Sequence, residues 1–226
     1  MRRCVPLVAA VMLLTSCSQT VTGQGQPSKL TPLPSSSRSS SSRPATPPPP
    51  AASPGPGAPI GDVIAWVGAG QPADVAGFHT ATLDGVSTDL GDDIAFSSAS
   101  GDAKCTTSKV DDGALACMVK LTNPPRRPAD LPSNWVSGWV DFDGQTLTVG
   151  SLHGDPGPFI NGAGPALADG QTLTFGDFRC RGETSGLLCA NSAHQSAARL
   201  SAAGIEPFGC LRKVTPPQFV GIQFSC

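Results

Sequence analysis

Tyrosine is missing from all 226 residues, and the chain holds only two glutamates, Glu183 and Glu206, and three histidines, His79, His153 and His194. With so few glutamates, a glycosidase would have to draw its pair of carboxyl groups mainly from aspartates. No Cys-x-x-Cys occurs, which removes the commonest spacing of a zinc site, and no metal or other cofactor is implied. There is no Gly-x-Ser-x-Gly, no His-Glu-x-x-His, no Ser-x-x-Lys with a Lys-Thr-Gly, and no phosphate-binding glycine loop. Those gaps remove the common serine hydrolases, zinc peptidases, penicillin-recognising enzymes and nucleotide-dependent enzymes. Positive charge is also short: from Ile60 onward 17 acids meet 10 Lys and Arg, a net of −7. Nucleic acid is therefore excluded as a partner, and the domain is not drawn to an anionic lipid surface. Nor is there a long apolar run, since Val5 to Leu14 falls well short of the ~20 residues that span a bilayer.

That short run has another meaning. Met1-Arg2-Arg3 gives a positive start, the apolar stretch follows, and small residues lead to Leu14-Thr15-Ser16-Cys17, the layout of a secretory signal. The last four residues resemble the bacterial lipobox. The resemblance implies cleavage before Cys17, a diacylglyceryl thioether on its sulfur and acylation of the new amino terminus, so that residues 1–16 leave and the rest is lipid-anchored on the outer face of the cell membrane. One acyl chain holds weakly; the several chains of a lipoprotein hold firmly. Residues 17–59 form the lipidated start and a linker, with Ser35 to Ser42 nearly all serine and 44–59 rich in proline. Such composition cannot bury enough apolar surface to order itself. It reaches roughly 35 Å as a coil and about 120 Å as polyproline II, and its Ser, Thr and Pro make it a candidate for O-glycosylation.

Six cysteines remain after Cys4 leaves and Cys17 is lipidated: Cys105, Cys117, Cys180, Cys189, Cys210 and Cys226. An even number in an exported chain implies disulfides, and six cysteines allow 15 connectivities. Turn geometry favours sequential pairing. The midpoint of Cys105 and Cys117 falls at Asp111, beside Asp112-Gly113, that of Cys180 and Cys189 falls at Thr184-Ser185, just before Gly186, and Cys210 pairs with Cys226. Facing residues of a hairpin approach closely enough to bridge.

Residues 60–226 read as one mainly β domain, a disulfide-stapled antiparallel sandwich or small barrel with little helix. Asp-Gly recurs at 84–85, 112–113, 143–144 and 169–170 as a hairpin signal. Expected strands cover 78–83, 93–97, 104–108, 114–121, 135–142, 145–152, 171–175, 178–181, 187–191 and 219–224. Residues 62–67 suit one or two helical turns, and 192–203 fit either a short helix or another strand and turn. Ile94-Ala95-Phe96, Cys105 and Gly113 to Cys117 are echoed by Leu173-Thr174-Phe175, Cys180 and Gly186 to Cys189. The echo raises two similar hairpin units, about 60–123 and 124–226, packed face to face.

Phe178-Arg179-Cys180-Arg181 with Gly186-Leu187-Leu188-Cys189-Ala190-Asn191 resembles a bridged segment of small exported actinobacterial proteins. With the lipobox, the Ser/Pro stalk and the lack of tyrosine, the chain resembles the uncharacterised mycobacterial cell-envelope lipoproteins. That resemblance implies membrane anchoring and brings no catalytic residues.

The remaining candidates are few. In 134–142, alternation sends Trp135, Ser137, Trp139 and Asp141 to one face and Val136, Val140 and Phe142 to the other. Two tryptophans beside Asp141 suit either a second core layer or an exposed aromatic platform for a glycan or flat apolar ligand. His153-Gly154-Asp155 offers a base with an acid nearby, yet nothing marks a nucleophile for it. Asp89, Asp92 and Asp93 cluster, and Asp141-Phe142-Asp143-Gly144 opens like an EF-hand loop, but position twelve is Leu152 where a glutamate is needed. The functional expectation is a non-catalytic binding or assembly role in the cell envelope toward a glycan, lipid or envelope protein. An envelope hydrolase with Asp/His chemistry in its loops and a passive surface protein are the alternatives.

Overall fold

The computed structural model describes residues 52–108, 113–129, 131, 134–153 and 155–226. The signal segment, Cys17, the linker up to residue 51, the turn residues Asp111 and Asp112, and Gly154 lie outside the described residues. In chain order come α1 (Ile60–Gly68), β1 (Gln71–Pro72), β2 (Thr80–Leu83), β3 (Val86–Asp89), β4 (Ala95–Ser98), β5 (Ala103–Thr107), β6 (Leu115–Val119) and β7 (Trp135–Phe142). The second half carries β8 (Thr146–Leu152), β9 (Ala166–Leu167), β10 (Gln171–Phe175), β11 (Phe178–Glu183), β12 (Gly186–Asn191), β13 (Ser196–Ser201), β14 (Gly204–Gly209), β15 (Arg212–Val214) and β16 (Val220–Ser225).

These strands make an eight-stranded sheet in the order β15-β16-β8-β7-β6-β5-β4-β9, a six-stranded sheet in the order β1-β10-β11-β12-β13-β14, and the separate hairpin β2-β3. Among the described residues neither large sheet closes on itself, so the architecture is the sandwich and not the barrel. All neighbours run antiparallel except the two-residue edges, where β1 lies parallel to β10 and β9 parallel to β4. One core fills the gap between the sheets: Phe96, Leu115, Val140, Phe142 and Leu147 from one, Leu173, Phe178, Leu187 and Leu200 from the other. Rings meet across it, Phe96 with Phe175 at 5.7 Å and Phe142 with Phe178 at 5.5 Å.

The cysteines pair sequentially, Cys105–Cys117, Cys180–Cys189 and Cys210–Cys226. The first two bridge directly facing positions of β5/β6 and β11/β12, and both sit in the shared core. Phe96 faces Cys105 and Leu173 faces Cys180. Phe96 therefore matches Leu173, which shifts the expected internal alignment by two residues.

The sheets differ in what covers their outer faces. Along β12 all six residues are buried, because Leu187 and Cys189 point into the inter-sheet core while Leu188 and Ala190 meet Val63 and Val67 of α1, with Phe208 alongside. A strand buried on both faces reads as a continuous apolar run, as Gly186-Leu187-Leu188-Cys189-Ala190 does. α1 is one residue longer at its end than the apolar pattern of 62–67 suggests and begins at Ile60; Thr172 and Arg181 donate to its last carbonyls, Val67 O at 2.5 Å and Trp66 O at 2.6 Å. The covering continues upstream, since Ser53 and Pro54, expected in the linker, accept hydrogen bonds from Arg199.

Other expectations need correction. Residues 196–201 are strand, which settles the open segment 192–203. Asp84-Gly85 turns β2 into β3 and Asp143-Gly144 turns β7 into β8, whereas Asp169-Gly170 carries the chain from one sheet to the other and closes no hairpin. β14 escaped notice because Glu206-Pro207 interrupts its alternation; as the edge of its sheet it tolerates the proline.

Candidate functional site

With α1 on the six-stranded sheet, the open surface of the sandwich is the outer face of the eight-stranded one. Its side chains follow from the disulfide. Cys105, Cys117 and Val140 point into the core, so their neighbours Lys104, Met118 and Trp139, which form one cross-strand row, point out. The next row holds Thr106, Ala116, Asp141 and Thr148.

Trp139 is the centre of this face. It is only 3% exposed, packed against Phe159 edge-on at 5.3 Å and stacked with His153 at 3.4 Å between ring centroids. Its indole N–H donates to Asp141 Oδ1 at 2.8 Å, and Thr148 Oγ1 donates to Asp141 Oδ2 at 3.4 Å. Of the two roles open to these tryptophans, Trp139 takes that of a second core layer: it anchors a small outer cluster with Ala116, Phe159, Met118 and Val136. Val136 was expected on the core face. Between Val136 and Val140 the register of β7 against β8 shifts, and that bulge brings Val136 out beside Trp139. Two glycines permit it. A Cβ on Gly138 would stand 2.0 Å from the Val119 carbonyl oxygen, and Gly150, at φ +75°, lies beneath the Trp135 ring, 2.7 Å from where its own Cβ would be.

Two recesses flank the Trp139 cluster. One, about 360 Å³, is lined by Ala114, Ala116, Trp139, Asp141, His153 and Pro158. The other, about 390 Å³, runs along Lys104, Met118, Lys120, Trp135, Val136 and Ser137. Both fall at the lower end of the size range of small-ligand pockets.

The sequence offers His153 as a base with no nucleophile marked for it; its stacking on Trp139 is not legible there because it depends on the bulge and on the Phe159 turn. Ser151 Oγ lies 2.8 Å from its Nε2, the distance of a nucleophile and base. Ser151 lines neither recess, however. Burial holds the imidazole below the ordinary histidine value, opposed by the negative charges of Asp141 and Asp155. Folded and unfolded states are both neutral there above pH ~6.5. As pH falls through that value the unfolded chain takes up the proton first, so stability declines until the folded ring protonates. A His153→Gln chain is expected to lose less stability between pH 7.5 and 5.5 than the parent in urea unfolding. Equal losses would remove His153 as the sensor.

The remaining polar candidates serve the fold. Asp143 accepts from Gln145 N at 2.7 Å and Thr146 N at 2.6 Å, and Asp89 from Gly91 N at 2.8 Å, so both are turn caps. Asp92, Asp93, Asp143, Asp177 and His194 border a cleft of about 580 Å³ at one end of the sandwich. Among the described residues no three acids, histidines or cysteines gather closely enough to hold a metal ion. Also among them, no helix is long and apolar enough to cross a membrane. No family model, curated protein or solved structure matches this chain.

Proposed function

We propose that the chain is an exported lipoprotein, held to the outer face of the cell membrane through Cys17, whose sandwich is a non-catalytic binding module. The observation that carries the binding role is the pair of recesses on the outer face of the eight-stranded sheet, one on either side of the Trp139 cluster. The other sheet is covered by α1, with a recess of about 540 Å³ beside Trp66 and Arg181. The anchor rests on the Leu14-Thr15-Ser16-Cys17 motif and the charge and apolar run ahead of it.

The test is a titration of the full chain carrying Cys17→Ala, in which three tryptophans and no tyrosine report on the fold. Cell-wall glycan fragments and membrane lipids are added in turn. A saturable change in emission is expected with one class, and the same substitution should move the protein from the membrane to the soluble fraction. No response to any class would end the binding reading, and membrane retention of Cys17→Ala would end the anchor. The Ser151–His153 contact favours a second reading, a serine hydrolase. Labelling by a fluorophosphonate, lost in Ser151→Ala, would put that reading in its place.

A further inference from the structure

The recess along Lys104 is lined by two residues, Trp135 and Lys104, whose side-chain donors have no acceptor among the described residues. The indole N–H of Trp135 is buried and has no hydrogen-bond partner among the described residues. A buried donor left unmade is costly; this one is closed to solvent, so an acceptor reaches it only if the Trp135 ring shifts as a ligand enters, and the new hydrogen bond offsets that shift. On the same recess, the half-buried Lys104 makes no ion pair or hydrogen bond among the described residues, while Lys120 lies 3.6 Å from Asp102 with its side chain 70% exposed. Two of the domain's four lysines line one groove together with a single carboxylate, Asp102, so the groove is positive by one charge in a domain whose net charge is −7. Between them the floor is apolar: Met118, Val119, Val136 and the Trp135 ring.

We infer that this groove binds a small amphiphilic anion, a single acyl chain bearing a carboxylate or phosphate head. The head meets Lys104 and Lys120 and accepts from the Trp135 indole, and the chain lies along Met118 and Val136. A neutral glycan would leave the lysines unused, and a bare anion would leave the apolar floor wet. A whole anionic membrane surface is repelled by the acidic domain, whereas a single amphiphile entering the groove feels chiefly the local charge. The inference rests on the binding reading above and names the ligand class of the same face.

Dodecanoate, monolauroylglycerol and inorganic phosphate, each below any micellar concentration, test it on the full chain carrying Cys17→Ala. Dodecanoate is expected to saturate the tryptophan signal, monolauroylglycerol to bind at least about tenfold more weakly, as losing one charge-assisted hydrogen bond implies, and phosphate not to bind. Lys104→Gln, a substitution on the surface of the sheet, should weaken dodecanoate about tenfold. Trp135→Phe keeps the apolar ring and should weaken it by a similar factor, read by calorimetry. Equal affinity for the neutral lipid, or full affinity in Lys104→Gln, overturns the inference. If dodecanoate fails while a glycan fragment saturates, this inference falls and the binding module stands; if every probe fails, both fall.

Discussion

An Arg199→Ala chain is expected to lose about 3–5 kcal/mol of stability, the cost of removing one member of a buried ionic group. Arg199 lies on β13 beneath the entering tether, with its side chain 14% exposed. Its Nε donates to Glu183 Oε2 at 3.0 Å, its Nη1 to Glu206, and its Nη2 to Ser53 Oγ at 2.9 Å and to the Pro54 carbonyl. The Glu183 side chain is 8% exposed and that of Glu206 25%, so alanine would leave two carboxylates facing each other in poor solvent with no cation between them. The geometry needs the planar fork. Arg199→Lys supplies the charge without the set of directed donors and should recover only part of the loss. Arg199→Met combined with Glu183→Gln and Glu206→Gln removes the charges altogether and should come back close to the parent, because the ion group itself contributes little net stability once desolvation is counted. Urea unfolding at pH 7 separates these outcomes. A loss under about 1 kcal/mol in Arg199→Ala would mean the group behaves as an exposed pair.

The same group takes up both glutamates of the sequence, each paired with one arginine. Their scarcity was legible, but their convergence was not, since Glu183, Arg199 and Glu206 sit on β11, β13 and β14. Two of those strands were uncertain or unseen before folding, one because 192–203 carries no clear period and one because Pro207 breaks it. The core was far easier to read. Phe96, Leu115, Val140, Phe142 and Leu187 fall on apolar or alternating segments bounded by Asp-Gly or Gly turns, and the cysteine spacing placed two hairpins in register.

The outer site was half legible. Once Cys105 and Cys117 are bridged into the core, Lys104 and Met118 beside them must point outward, a signal present in the sequence and not used. Trp139 and Asp141 were placed on one face by alternation, and the structure joins them by a hydrogen bond. What alternation cannot foresee is a bulge, and the bulge moves Val136 out and closes the cluster over Trp139. Phe159 and His153 come from a Gly/Pro-rich segment with no period at all. Their approach is a tertiary event, set by packing on Trp139.

Reducing agent is expected to open Cys210–Cys226 while Cys105–Cys117 and Cys180–Cys189 stay closed until the sandwich itself unfolds. Cys226 is exposed and Cys210 half-buried, whereas the other four cysteines are at most 1% exposed, inside the inter-sheet core. A thiolate must reach a sulfur to exchange, so access sets the order. Removal of the core pair Cys180–Cys189, which closes nine residues of separation, should cost about 2.6 kcal/mol by loop-closure entropy. The choice of substitute then matters. Two alanines leave a small apolar void beside Leu173 and Ala198, while two serines place hydroxyls in the same dry layer and add about 1–3 kcal/mol for each one left without a partner. The serine pair should therefore unfold at clearly lower urea than the alanine pair, and Cys210→Ser with Cys226→Ser should show no such gap from its alanine counterpart, because water reaches that edge. Mass spectrometry of alkylated protein after graded reduction gives the order of opening. Simultaneous loss of all three bonds under native conditions would mean that the core opens as easily as its edge.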